Sequence, residues 1–170
     1  ANTFLTKVSE EIDTKHIHNF VRTQIQSQNL TLDNNSVIFY LYLPSVNSYL
    51  ISLVNSKTKN IALEPFVFLD FYIQNEENKN SIDLFICKDF FALYDNKKLI
   101  YFNKIERGFL KNDIVKYINQ TLKKQIDNIY DIKDEKLELY KKSYVSNIKK
   151  IVPINFILAK SSKSSLYFLT

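Results

Sequence analysis

The chain contains a single glycine, Gly108, among 170 residues, where about twelve would be average. Loops that wrap phosphates or present a nucleophile on a sharp turn need glycine, because glycine tolerates positive φ and lets a ligand approach the backbone closely. The P-loop, the dinucleotide-binding fingerprint and the GxSxG elbow are all missing from this sequence. Their absence favours a binding module over a nucleotide-dependent or hydrolytic enzyme.

The sequence also lacks the side chains of a protein-only metal centre. One cysteine and two histidines exclude an internal disulfide framework and a four-ligand structural zinc site. On a helix His16 and His18 would point about 200° apart, so they are poorly placed to share a metal. Cys87 lies in an apolar run, which is typical of a small buried side chain. We therefore expect no metal and no cofactor.

Three aspartates, Asp83, Asp89 and Asp95, raise the alternative of a nuclease, whose two divalent ions need several carboxylates. Two of them, Asp89 and Asp95, fall in predicted turns, and no further acidic residue accompanies them at a suitable position. The sequence therefore gives little support to a catalytic carboxylate cluster, and we expect no enzyme activity.

Charge is distributed unevenly along the chain. Residues 1–80 contain 6 Lys or Arg and 8 Asp or Glu, whereas residues 81–170 contain 17 and 10. A basic C-terminal half is compatible with an acidic protein, an anionic membrane surface or nucleic acid, although a solvated lysine-rich surface explains it more simply. The sequence has no apolar run of about 18 residues, which excludes a membrane span within it. It opens at Ala1, contains no methionine and has no signal-peptide or targeting segment, so we interpret it as a piece of a longer protein.

The first half predicts a small α+β domain, residues 1–75. Apolar residues at helical spacing predict an amphipathic helix from about Val8 to Gln28. Two β-branched and aromatic runs, 36–43 and 48–54, predict a hairpin. The segment 66–73 follows Pro65 and is either a third strand or a short helix. The polar stretch Gln74–Asn80 predicts the domain boundary.

The second half, residues 80–170, predicts a mixed sheet with helices packed on it. Three strands at 81–87, 90–94 and 99–105 form a meander. A helix beginning at Asn112 or Asp113, a strand at 126–132, a helix from Asp134 and a last strand at 154–159 follow. The order β-β-β-α-β-α-β implies crossover helices and an α/β fold class.

This order, and the segment 82–105, IDLFICKDFFALYDNKKLIYFNKI, resemble the ribonuclease-H-like half of the actin-like fold in bacterial PilM and FtsA and in the L-component of type II secretion. The likeness continues at residues 107–114, which are similar to that family's short glycine loop before its first helix, and at 126–132 and 154–159. Residues 1–73 are harder to align and are expected to hold a smaller companion domain.

The resemblance implies a degenerate, nucleotide-free member of that family. Actin-like ATPases place glycine pairs after the first, third and fourth strands, where this chain has residues 87–89, 106–109 and 131–135 and retains only Gly108. We therefore expect a non-catalytic scaffold on the cytoplasmic face of a bacterial inner membrane. It would belong to a pilus, competence or type II secretion machine and would contact the assembly ATPase or membrane partners.

Several residues are candidates for partner binding. The aromatic residues of segment 66–72 are too dense for a strand with one buried face, although core packing explains them more simply. Aromatic and basic residues also alternate from Tyr94 to Phe109, which makes a nucleic-acid-binding domain the alternative function. The complete candidate set is Phe66, Phe68, Phe71, Tyr72, Arg107, Lys141, Lys142, Lys149 and Lys150.

Overall fold

The computed structural model describes residues 2–55, 62–74, 80–151 and 155–158, without the side chains of residues 73, 74, 146–151 and 155–158. The chain forms two compact units, one of Ala1–Asn60 with Pro153–Thr170 and one of Ile61–Val152. This division differs from the predicted domains, 1–75 and 80–170. The polar stretch expected as the boundary falls within the second unit, and its residues 75–79 lie outside the described part.

The first unit contains a four-stranded antiparallel sheet. Its strands are β1 (Asn2–Lys7), β2 (Ser36–Leu43), β3 (Ser48–Asn55) and, from the end of the chain, β8 (Asn155–Leu158), in the order β1-β3-β2-β8. The predicted β2–β3 hairpin is confirmed: Pro44 starts the connection and Asn47 adopts the left-handed φ of 45° that closes it. The sequence pattern does not predict β1.

One helix, α1 (Ile17–Ser27), packs on this sheet through the predicted apolar stripe of Ile17, Val21 and Ile25. The predicted start at Val8 is wrong. The Val8 N–H donates to the Asn47 carbonyl at 2.8 Å, and the Ile12 N–H donates to Tyr49 Oη at 2.8 Å. Because these N–H groups have partners in the hairpin, residues 8–12 follow the sheet and the helix begins later.

The second unit contains a four-stranded mixed sheet. Strands β4 (Ile82–Ile86), β5 (Phe90–Asp95) and β6 (Lys98–Lys104) form the predicted antiparallel meander, and β7 (Asn128–Asp131) pairs in parallel with β4. The strand order is β6-β5-β4-β7. Asn96 and Lys97, with φ of 50° and 66°, form the tight turn between β5 and β6.

Three helices cover the two faces of this second sheet. The segment that begins at Pro65 forms a 3-10 turn and then α2 (Leu69–Gln74). Of the two predicted alternatives for residues 66–73, a strand or a short helix, the helix is therefore correct. The crossover helices α3 (Lys111–Gln120) and α4 (Asp134–Ile151) lie near their predicted positions. Ring contacts place Tyr117 of α3 on Tyr101 at one face. At the other face Phe68 contacts four rings, and we call this group of five the aromatic layer: Phe68, Phe85, Phe90, Tyr94 and Tyr140 of α4. No helix in the described ranges is long and apolar enough to cross a bilayer.

The last predicted strand is present but belongs to the other sheet. The sequence places residues 154–159 in the ribonuclease-H-like sheet, whereas β8 pairs antiparallel with β2, Tyr40 opposite Asn155 and Val37 opposite Leu158. An apolar run specifies a strand through local propensity, but nothing local specifies its neighbour. The chain is thus a mixed α/β protein with two sheets, and the predicted fifth strand of the second sheet is a correction.

Candidate functional site

Three loops of the second unit meet at one edge of its sheet. Strands β4, β6 and β7 run in the same direction, because β4 and β6 are both antiparallel to β5 and β7 is parallel to β4. The Ile105 N–H donates to the Asp89 carbonyl at 2.8 Å, and Lys111 Nζ lies 2.7 Å from Asp131 Oδ2. We call this edge, residues 87–89, 105–111 and 131–135, the carboxyl edge. Ligands of open α/β sheets bind outside the carboxyl ends of strands, so it is the candidate site.

The turn after β4 is closed by side-chain-bearing residues. The Cys87 N–H donates to the Phe90 carbonyl at 2.9 Å, and the turn contains no glycine and no residue at positive φ. Lys88 and Asp89 project outward at its tip, while Cys87 is buried and the burial raises the pKa of its thiol to about 12. A phosphate would meet Cβ atoms here instead of bare backbone N–H groups.

Both crossover helices begin with their own carboxylates. Asp113 Oδ2 accepts the Leu110 N–H at 2.8 Å at the start of α3, and Asp134 and Glu135 occupy the first turn of α4. The positive end of a helix dipole stabilises an anion, and these acidic side chains take that position. A polyphosphate at either helix would therefore meet negative charge.

An open groove of about 440 Å³ lies between the turn after β4 and the start of α4. Its charged lining has three carboxylates and two ammonium groups, namely Asp131, Asp134, Glu135, Lys88 and Lys133. Because Lys111 pairs with Asp131, the groove offers no excess of positive charge to attract a nucleoside triphosphate.

Asp83, the aspartate of the first strand of this sheet, is committed to internal hydrogen bonds. It is 2% exposed and accepts hydrogen bonds from Tyr72 Oη at 2.6 Å, Ser81 Oγ at 3.0 Å and Asn128 Nδ2 at 2.9 Å. Burial, together with the bond to Asp83, raises the pKa of the Tyr72 hydroxyl well above 10. The carboxylate therefore ties β4 to β7 and α2, and has a structural role.

The other groups considered for metal binding are also dispersed. Asp95 lies 3.7 Å from Lys124, and Asp89 lies on the exposed turn after β4. In the first unit, burial and, to a lesser extent, the charge of Arg22 lower the pKa of His18. The centroids of the His18 and Tyr40 rings are 6.3 Å apart. Across the described residues no three His, Cys, Asp or Glu side chains are grouped to hold a metal ion.

The aromatic candidates of segment 66–72 belong to the core of the second unit. Phe66 and Phe68 are 2% and 0% exposed, and Phe68 stacks on Phe85 with ring centroids 4.5 Å apart. Phe71 and Tyr72 are half-buried and contact the same Phe85 ring. Phe66 and Phe68 are therefore not available to bind a partner, which corrects that part of the prediction. They pack in the core, on the face of the sheet that α2 and α4 cover.

The basic candidates are spread over two elements. Arg107 is exposed at the tip of the loop after β6. On α4, Lys141 lies 3.6 Å from Glu138 and Lys142 is exposed. The side chains of Lys149 and Lys150 lie outside the described residues. The structure thus places Arg107 at the carboxyl edge and leaves the lysine pairs along a helix.

The sequence analysis missed an exposed apolar pair beside Arg107. Phe109 and Leu110 are 41% and 69% exposed, and Phe109 borders a cavity of about 180 Å³. The available signal was the position of these two residues directly after Gly108, in a basic loop between a strand and a helix. The aromatic-basic alternation included Phe109 but did not separate it from the buried rings.

Comparison with known proteins gives limited information. No protein-family model and no curated protein matches this chain. Among solved structures, the chain is similar to a protein from Bacteroides thetaiotaomicron described as having an actin-like ATPase fold and unknown function, with a TM-score of 0.40 and 12% sequence identity. The likeness covers 88% of this chain and 62% of that one, so this chain spans less than two thirds of that protein's length.

Proposed function

We propose that the chain is a non-catalytic scaffold domain whose carboxyl edge binds protein instead of nucleotide. One observation carries the proposal: apart from Gly108, the turns and helix starts that would hold a phosphate at this edge present either side-chain-bearing residues or a carboxylate. Gly108 has φ +83°, and a Cβ added there would have no other atom within 4 Å, so no neighbouring group encloses a ligand at this position.

The finer proposal is the cytoplasmic portion of an inner-membrane pilus, competence or type II secretion machine that docks the assembly ATPase or a membrane partner. The order β6-β5-β4-β7, with β7 parallel to β4, supports it as the first four strands of a ribonuclease-H-like sheet of the actin-like kind. The missing nucleotide glycines agree with a scaffold member of such a machine.

The alternative of a nucleic-acid-binding domain has weaker support. Base stacking needs exposed rings, whereas Tyr94, Tyr101 and Phe102 of the aromatic-basic run are 0%, 7% and 2% exposed. Only Phe109 in that run presents a ring to solvent. We therefore keep nucleic acid as an outcome of the tests below.

The first experiment measures binding of Mg-ATP to the whole chain by isothermal titration calorimetry. We expect a Kd weaker than about 1 mM. The variant Asp134→Asn/Glu135→Gln serves as a control, because it removes two negative charges and leaves every turn unchanged. It should also fail to bind. A Kd of about 10 μM or tighter for the unaltered chain would contradict the proposal.

The second experiment tests the finer proposal. The purified chain is mixed with the hexameric pilus or secretion ATPase of the same organism and analysed by size-exclusion chromatography with light scattering. We expect a complex whose mass exceeds that of the hexamer. Separate elution of the two proteins, together with absence of ATP binding, would reject the secretion assignment while leaving a nucleotide-free scaffold.

A further inference from the structure

The cavity beside Phe109 is sized for one side chain. It measures about 180 Å³, whereas pockets for drug-sized ligands span about 300–1,000 Å³. Its lining consists of Phe91, Asn103, Lys104, Glu106, Phe109 and Tyr117. The rings of Phe91 and Tyr117 supply apolar walls, and the Asn103 amide, the Lys104 ammonium and the Glu106 carboxylate supply polar groups. Such a cavity accepts one anchor side chain of a larger partner.

The apolar rim of this cavity is held in place by backbone hydrogen bonds. The Phe109 N–H donates to the Glu106 carbonyl at 3.0 Å and closes a turn with Arg107 and Gly108 at its tip. The Leu110 N–H is bound by Asp113 at the start of α3. Among the described residues, Phe109 and Leu110 are the only adjacent large apolar side chains that are exposed. A rim fixed in this way loses little entropy when a partner binds.

The charge around the cavity selects the partner. At the cavity and the tip of its rim, Lys104 and Arg107 are the cations and Glu106 is the one carboxylate. Lys104 lines the cavity and Arg107 is exposed at the tip, while Lys111 is already paired with Asp131. Positive groups next to an apolar anchor site complement a segment whose acidic residues flank an apolar side chain.

We propose that this cavity, with the Phe109–Leu110 rim and the Arg107 and Lys104 charges, is the docking site for an acidic amphipathic peptide segment of a protein partner. The inference rests on the proposed scaffold function, and it names the partner's chemistry and the residues that bind it. One apolar side chain of the segment fills the cavity, a second covers Leu110, and its carboxylates meet the two cations. Nucleic acid is less well suited, because one exposed ring gives no series of stacking surfaces.

The test is selection from a displayed library of random peptides of about 16 residues, long enough for a short helix. We expect the selected peptides to be acidic and to contain spaced apolar anchors. In the whole chain, Phe109→Ser should weaken a selected peptide by about tenfold or more, as expected for a central anchor contact. Arg107→Glu should also weaken binding of the selected peptide, and by a larger factor in low salt than in high salt, because salt screens exposed charges.

Leu139→Ser and Lys142→Glu are the matched controls, since Leu139 is 65% exposed and Lys142 is exposed, both on α4. These two variants should bind the selected peptide as the unaltered chain does. Peptides without acidic residues, no enrichment at all, or equal loss in the Phe109→Ser and Leu139→Ser variants would overturn the docking site.

A labelled single-stranded oligonucleotide is titrated in parallel. Tight binding of the oligonucleotide that is lost in Phe109→Ser would assign the site to nucleic acid and overturn the peptide proposal. Because Mg-ATP binding is measured separately, failure of the docking site and failure of the nucleotide-free scaffold give different results.

Discussion

Two aromatic segments of the second unit differ in how far their rings are exposed to solvent. Segment 66–72 places Phe68 at 0% exposure among the rings of Phe85, Phe90, Tyr94 and Tyr140. Segment 101–110 buries Phe102 within the sheet and leaves Phe109 41% exposed, beyond the point where strand pairing stops. Aromatic density is similar in the two segments, so it does not decide which one is available to a partner. The decisive feature is whether another element covers the segment, and in the first case α4 does so.

The largest expected difference is in stability. Phe68→Ala removes the ring at the centre of the aromatic layer and should lower the free energy of unfolding by about 3–5 kcal/mol, the usual range for a buried phenylalanine. Urea unfolding of the whole chain, followed by circular dichroism, measures it. A loss below about 1 kcal/mol would mean that segment 66–72 does not form the core.

The second prediction concerns the buried carboxylate of Asp83, which accepts hydrogen bonds from Tyr72 and Asn128. Asp83→Ala leaves the Tyr72 hydroxyl and the Asn128 amide without their carboxylate, and should cost about 2–4 kcal/mol because buried unpaired polar groups are expensive. Asp89→Ala, at an exposed turn, is the control and should cost less than about 0.5 kcal/mol. Equal effects in the same unfolding assay would contradict the structural role of Asp83.

The third prediction is a pH dependence. Burial raises the pKa of Tyr72 in the folded chain above 10, so its contribution to stability is fully present below pH 10 and is lost as pH rises toward the folded pKa. Tyr72→Phe should cost about 1–2 kcal/mol at pH 7 for the lost hydrogen bond, and less at pH 11. Unfolding at the two pH values measures the difference. A cost that grows with pH would show that the sign is wrong.

The smallest expected effect distinguishes the exposed segment from the core. Phe109→Ala should change the free energy of unfolding by less than about 1 kcal/mol, because much of the ring is already in water. Leu139→Ala, at 65% exposure, gives the reference for an exposed apolar residue. A cost near that of Phe68→Ala would assign Phe109 to the core and remove the basis of the docking site.

The sequence predicted the features that depend on neighbouring residues. The β2–β3 hairpin and the β4–β5–β6 meander follow from β-branched and aromatic runs of strand length, and the left-handed φ of Asn47 and Asn96 that closes their turns is a local property. The predicted start of α1 was wrong because the Ile12 N–H donates to Tyr49, which lies 37 residues away and is not visible in the local pattern. Pairing of β8 with β2 likewise depends on contacts across most of the chain.

The candidate site was predictable in part. The resemblance to actin-like ATPases pointed to residues 87–89, 106–109 and 131–135 as the equivalents of the phosphate loops, and the strand directions place these segments at one edge of the sheet. The exposure of Phe109 and Leu110 was not predictable, because Phe102 has the same residue type and a similar basic setting but is 2% exposed. Exposure depends on where α3 begins relative to the end of β6, and spacing alone does not give that.

Strand β8 has a consequence for synthesis of the chain. The second unit, Ile61–Val152, is inserted between two parts of the first, and β2 gains its outer neighbour only when residues 155–158 are available. On the ribosome, the inserted unit can therefore complete its sheet before the first unit does, although the first unit contains residues nearer the N-terminus. This reverses the usual order, in which N-terminal domains finish first.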